Sequence, residues 1–176
     1  MHCKFCGFDL KKVDSWPHLC KNCKNTIYKN PIPVIICLLE GIDIAHILLR
    51  RPKNQIGIVL IRRSSGRMAG SWALPGGFMD FNDESWQHSA SREVAEETGL
   101  IVPHFFWKPF DVATSRDKQL LVFVKSSGTP MKVNTDNPYH NNETDAIRIA
   151  YSGEELAFPT HTEALKKYFA QSQRFA

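Results

Sequence analysis

Apolar residues run almost unbroken through Val34 to Leu39, Ile44 to Leu49 and Ile56 to Ile61. Short β-branched runs of this kind, bounded by Pro, Gly and Asn, predict strands. Between the last two, Arg50-Arg51-Pro52-Lys53-Asn54-Gln55 reads as a turn. A small-residue loop, Ser64 to Gly70, leads into Trp72-Ala73-Leu74 and a Gly76-Gly77 turn. The period then changes. Trp86, Ala90 and Val94 recur at i, i+4 and i+8, which predicts a helix with one apolar stripe. It should start near Asp83 or Ser85 and end at Gly99, a residue suited to a helix C-terminus. Val102 to Phe106, Phe110 to Thr114 and Leu120 to Lys125 predict further strands, with a turn at residues 115–118. Ser126 to Asn142 is polar and rich in Pro, Gly and Asn, and is expected to be a mobile loop. A short strand at Ala146 to Tyr151 and a closing helix at Thr162 to Ala170 complete the pattern, with Leu165, Tyr168 and Phe169 facing inward. Strands on both sides of a central helix, with a second helix at the end, predict an α/β fold: a mixed sheet between helical layers.

The N-terminal stretch differs. Residues 1–27 are polar and carry two Cys-x2-Cys pairs, Cys3/Cys6 and Cys20/Cys23, separated by 13 residues. Each pair bends so that two thiolates meet one metal, and four thiolates close a tetrahedral zinc site. Two disulfides are the alternative. No export signal precedes them, so the cytoplasm is the expected compartment and structural Zn²⁺ the expected occupant. So short a segment has little apolar content, and the metal is expected to supply its folding energy. Residues 28–33 form a connector stiffened by Pro31 and Pro33, and residues 34–176 form the main domain. Cys37 lies in an apolar run and reads as a small buried hydrophobe.

Composition narrows this only slightly. At 43% apolar, 176 residues can bury a real core. No apolar run is long enough to span a membrane. The net charge of +4 suits a polyanionic partner without demanding nucleic acid.

The chemistry sits in Arg92-Glu93-Val94-Ala95-Glu96-Glu97-Thr98-Gly99-Leu100. On a helix Glu93 and Glu97 share a face, and Glu93 also neighbours Glu96. Like charges at these spacings repel, and a divalent cation held by oxygen ligands, Mg²⁺ or Mn²⁺, would offset the repulsion. Together with Gly77 and Glu84 the run resembles the Nudix box, Gly-x5-Glu-x7-Arg-Glu-U-x-Glu-Glu-x-Gly-U, where U is a bulky aliphatic residue. Glu84 to Leu100 fits throughout. Six residues instead of five separate Gly77 from Glu84, which reads as a one-residue insertion around residues 81–83. The alternative puts Asp83 in the first acidic position. Glu84 is preferred because an insertion in a loop costs less than one in a helix, which would rotate every later side chain by about 100°.

The resemblance implies a Nudix-type α/β/α sandwich preceded by a small zinc ribbon, as in the NADH pyrophosphatase-like and FAD or ADP-ribose hydrolysing members. It implies metal-dependent hydrolysis of the pyrophosphate bond of a nucleoside diphosphate linked to another group. Glu96, Glu97 and the Gly76 carbonyl are the implied metal ligands, and Glu93 binds metal or acts as base. Arg92 would hold Glu93, with Glu84 pairing to Arg92. A further carboxylate from outside the helix is implied at Glu143, with Asp145 or Asp117 next. Arg62 or Arg63 would clamp phosphate; strand alternation lets only one of them face the substrate. Trp72 could stack on a base or simply pack. Phe106-Trp107-Lys108-Pro109-Phe110 lacks the Ser-Gln-Pro-Trp-Pro-Phe-Pro-x-Ser motif of NADH pyrophosphatases, so a preference for NADH is not supported. The expected partner is a nucleotide-type small molecule, and a homodimer is an assembly the resemblance allows. Two other readings stand beside this one. One is a zinc-ribbon nucleic-acid-binding or regulatory protein whose Nudix domain only binds ligand. The other is an enzyme that removes a nucleotide cap from RNA, with Lys11, Lys12, Lys21 and Lys24 holding the RNA.

Overall fold

A computed structural model describes residues 1–44, 56–136 and 140–172. The chain forms two compact units, Met1–Pro31 and Ile32–Ala176. In the first, β1 (His18–Leu19) pairs antiparallel with β2 (Thr26–Ile27), and His2 bridges Asp9. Its core is small: Cys3, Leu10, Cys20 and Ile27, with Val13 and Trp16 packed against them.

In the second unit, β3 (Pro33–Leu38) continues through Leu39 into β4 (Glu40–Asp43). β5 is Gly57–Arg63, β6 Trp72–Ala73 and β7 Gly76–Phe78; then come α1 (Trp86–Thr98), β8 (Trp107–Thr114), β9 (Leu120–Ser126), β10 (Met131–Val133), β11 (Thr144–Ala150) and α2 (Pro159–Ser172). One sheet runs β7-β3-β9-β8, with β3 and β9 parallel and the other pairs antiparallel. The other runs β10-β4-β5-β11, with β6 also on β5. Both faces of the central strands are covered. Ile35, Cys37, Leu39, Val59 and Ile61 pack with Ala90 and Val94 of α1 and with Trp107. The alternate residues Ile36, Leu38, Ile58 and Leu60 pack with Phe123 and with Ala164, Leu165 and Tyr168 of α2. This is the expected sandwich, and it explains why these strands read as apolar runs without alternation.

α1 begins and ends where its residues dictate. Ser85 caps it, its Oγ accepting the His88 N–H at 3.4 Å. Gly99 closes it in the left-handed region at φ 71°, its N–H bonded to the Ala95 carbonyl. Cys37 is fully buried, as expected.

Three expectations change. Val102–Phe106 is not a strand: Pro103 leads into a single 3₁₀ turn, His104–Phe106, and β8 starts at Trp107. The polar stretch 126–142 contains β10, which pairs parallel with β4 through Met131, Lys132 and Val133. α2 begins three residues earlier than expected, at Pro159, a residue favoured in a first turn. The strand expected at Ile44–Leu49 and the turn at 50–55 lie, Ile44 apart, outside the described residues. Among the described residues no helix is long and apolar enough to cross a membrane.

Candidate metal and diphosphate site

Helical spacing brings Glu93 and Glu97 to one face of α1, and the fold buries both, at 7% and 3% exposure. Opposite them runs β7. The Gly76 N–H donates to Glu97 Oε2 at 2.7 Å. Gly76 itself has φ 147°, and a Cβ there would collide with the Ile35 carbonyl oxygen. A Cβ on Gly77 would lie 2.5 Å from Glu93 Oε2. Gly76 is therefore required for the strand's close approach, and a side chain at Gly77 would displace the Glu93 carboxylate. Burial pushes the Glu97 carboxyl up to about 8, with Glu93 and Glu143 adding repulsion against the opposing Gly76 N–H. Burial also raises Glu93, against the pull of Arg92. Crowded, buried, oxygen-only donors of this kind fit a divalent cation such as Mg²⁺ or Mn²⁺, which would relieve the repulsion.

Arg92 is the hub. Its Nη1 donates to Glu93 Oε1 at 2.7 Å and to Glu96 Oε2 at 3.2 Å, and its Nη2 donates to the Phe78 carbonyl at 2.9 Å. The expected partner Glu84 does not join it. Glu84 has an 82% exposed side chain and lies 3.6 Å from His88. Asp83 holds Arg92 instead, accepting Nε at 3.1 Å and Nη2 at 2.9 Å. Asp83 also accepts the Ser89 hydroxyl and the Asp80 N–H. Arg92, above all, holds the Asp83 carboxyl well below the usual range. Asp83 turns inward across the first turn of the helix, whereas Glu84 points to solvent.

These groups line one cleft of about 870 Å³. Gly76, Gly77, Arg92, Glu93, Glu96 and Glu97 line it, joined by Glu143 from the loop before β11. Asn141 fastens that loop to α1 by donating to the Glu96 carbonyl. Of the other two acids considered, Asp117 lines the cleft and Asp145 pairs with Arg62 at 2.6 Å. Of the two arginines that end β5, Arg63 lines the cleft; Arg62 and Trp72 are not among its lining residues. Trp72 packs beside the α2 cluster, with the Arg148 guanidinium 4.5 Å from its ring centre.

Arg67, Arg116 and His161, not expected from the sequence, also line the cleft. No motif marked the arginines. His161 accepts the Leu74 N–H through Nδ1 at 3.3 Å. Burial, with Arg63 nearby, lowers its imidazole to about 3.

In the first unit the thiols of Cys3, Cys6, Cys20 and Cys23 lie within 4.8 Å of one another. Cys3 to Cys23 is 3.7 Å and Cys6 to Cys20 is 3.8 Å, and all four are free. A tetrahedron with metal–sulfur bonds of about 2.3 Å has edges of roughly 3.8 Å, whereas a disulfide bond is about 2.05 Å. The cluster could hold a metal. The Asn25 backbone and side-chain N–H groups, above all, pull the Cys23 thiol down to about 6, which favours the ligating thiolate.

The family profile for the NUDIX domain matches residues 42–172. An ADPR responsive transcriptional repressor NtrR of Acinetobacter baylyi is 40% identical over 78 residues, 44% of this chain and 28% of that protein. The mitochondrial coenzyme A diphosphatase NUDT8 of Mus musculus is 30% identical over 106 residues, 60% of this chain and 46% of that protein. The chain thus spans less than half the length of either curated relative. A crystal structure of a NUDIX hydrolase from Nitrosomonas europaea superimposes with a TM-score of 0.62 at 20% identity, covering 98% of this chain and 92% of that one.

Proposed function

This chain belongs to the NUDIX family, and from that premise we propose that it hydrolyses the pyrophosphate bond of a nucleoside diphosphate linked to another moiety. The observation that carries the reading is the meeting of Glu93, Glu96, Glu97 and Glu143 with Gly76 in one cleft. Glu96, Glu97, Glu143 and the Gly76 carbonyl are the proposed ligands of Mg²⁺ or Mn²⁺. Such an ion supplies charge neutralisation at the diphosphate and a bound water of lowered pKa. Glu93 shares in that binding or takes the proton that leaves the attacking water. Arg92 holds Glu93 in place, and Asp83 holds Arg92. Arg63 meets the diphosphate from the end of β5. Water adds to one phosphorus, the bridging P–O bond breaks, and two phosphate monoesters leave. The four cysteines form a structural Zn²⁺ site, which makes residues 1–27 a zinc ribbon.

A relative described as an ADPR responsive repressor favours a second reading, in which the cleft binds a nucleotide without cleaving it. The carboxylate set speaks for turnover, because mere binding has no need of four acids crowded into one cleft. Incubation with Mn²⁺ or Mg²⁺ and NAD⁺, NADH, ADP-ribose, FAD, coenzyme A or capped RNA separates the two. Hydrolysis supports the enzyme. Saturable binding without products would replace it with the sensor.

A further inference from the structure

The cleft carries two arginines that the proposed chemistry does not use. Arg67 and Arg116 line it, from two separate turns. The first turn follows β5 and is braced by its own backbone: the Gly70 N–H donates to the Arg63 carbonyl at 2.7 Å, and the Ser71 N–H to the Met68 carbonyl at 3.1 Å. Met68 adopts φ 65°, and the Arg63 side chain donates to the Arg67 carbonyl at 3.0 Å. The second turn joins β8 to β9. The Ser115 N–H donates to the Gln119 carbonyl at 3.0 Å, the Ser115 hydroxyl accepts the Gln119 N–H at 3.0 Å, and Lys118 sits at φ 59°. Arg116 projects from this tip with no ion-pair partner among the described residues. The two turns meet where Arg67 Nη1 lies 3.5 Å from Asp117 Oδ2, an exposed pair of small energetic worth.

The charges in the cleft are divided. Glu93, Glu96, Glu97 and Glu143 are the proposed metal-binding acids, and Arg92 is fully engaged by Asp83, Glu93 and Glu96, with Asp80 4.0 Å away. Arg63, Arg67 and Arg116 remain. A scissile diphosphate held by metal and Arg63 has its charge answered. Two more guanidiniums on preorganised turns exceed what it needs, and guanidinium forks match phosphate in both geometry and charge.

On the basis of the proposed hydrolysis, we infer that Arg67 and Arg116 recognise a further phosphate monoester on the substrate, outside the bond that is cleaved. The preferred substrates are then phosphorylated dinucleotides or nucleotide conjugates. Asp117 holds Arg67 in place until that phosphate takes over the contact, and Ser115 and Gln119 border the same pocket.

The test compares matched substrates that differ by one phosphate: NADP⁺ with NAD⁺, coenzyme A with dephospho-coenzyme A, and 2′-phospho-ADP-ribose with ADP-ribose. The full chain is assayed with Mn²⁺ or Mg²⁺. In at least one pair the phosphorylated member should show a kcat/KM roughly 10-fold higher, chiefly through KM, the effect expected of a charge-assisted contact. In Arg116→Ala, and again in Arg67→Ala/Arg116→Ala, the ratio should fall towards one, and Arg116→Lys should keep part of it. Both members cleaved equally well by the unaltered protein would overturn this inference and leave the hydrolase reading standing. A preference that survives the double substitution would overturn it too. No hydrolysis of any member would overturn the hydrolase reading, and the inference with it.

Discussion

Replacing Asp83 with Ala should damage the protein far more than the same change at Glu84. Asp83 accepts two bonds from Arg92, one from Ser89 and one from the Asp80 N–H, on a side chain only 10% exposed. A hydrogen bond to a charged partner contributes roughly 1.5–3 kcal/mol. Arg92 would keep Glu93, Glu96 and the Phe78 carbonyl, so the net loss is about 2–3 kcal/mol. For a domain of this size that lowers the Tm by roughly 5–10 °C. Arg92, left with fewer anchors, would hold Glu93 less firmly, so kcat should fall while KM changes less. Glu84, with an 82% exposed side chain, contributes only a surface contact to His88. Its substitution should cost under about 0.5 kcal/mol. Thermal unfolding and Mn²⁺-dependent turnover of both variants measure the contrast. A Glu84→Ala variant as impaired as Asp83→Ala would refute the assignment.

Further outcomes follow from the same geometry. Gly77→Ala places a Cβ against the Glu93 carboxylate and should lower turnover at least about 10-fold while the protein stays folded by circular dichroism. Glu97 is held up to about 8 against 4.5 when free, so the folded state binds more protons and metal-free stability falls as pH rises between those values. His161 acts oppositely, lowered to about 3, but only below its free value of 6.5. Cys23, lowered to about 6, would also oppose it unless zinc holds the thiolate, so the Glu97 effect stands clear between pH 6.5 and 8 in zinc-loaded protein stripped of Mg²⁺ and Mn²⁺. Such a sample should lose up to roughly 2 kcal/mol across that interval, and Mg²⁺ or Mn²⁺ should flatten the slope; a Tm of that sample that rises with pH there would contradict it. Elemental analysis should find about one zinc per chain, by the four-thiolate count, and Cys20→Ser should lose it. Freshly purified protein without zinc would refute the ribbon.

Much of this was legible in the residues, for identifiable reasons. Glu93 and Glu97 lie on a regular helix, where spacing alone sets the face, and Ser85 and Gly99 mark its ends. Gly76-Gly77 announced a close backbone approach. The cysteine spacing foretold the thiol cluster. Failures lie where side-chain direction depends on a loop. Asp83 and Glu84 are adjacent, and only the turn from Asp80 into α1 decides which points inward. Arg62 and Arg63 could be reduced to one by alternation but not told apart. Val102–Phe106 looked strand-like by composition, yet Pro103 starts a 3₁₀ turn. β10 is too short and too polar in its surroundings to stand out, and it exists because β4 offers it an edge. Arg67 and Arg116 come together only through tertiary structure.

The most direct measurement is hydrolysis of a panel of nucleoside diphosphate conjugates by the unaltered chain and by Glu97→Gln, with Mn²⁺ and with chelator. The account predicts metal-dependent release of two phosphate monoesters, lowered by at least about 100-fold in Glu97→Gln with the fold unchanged. Full activity in that variant, or turnover undiminished by chelator, would contradict it.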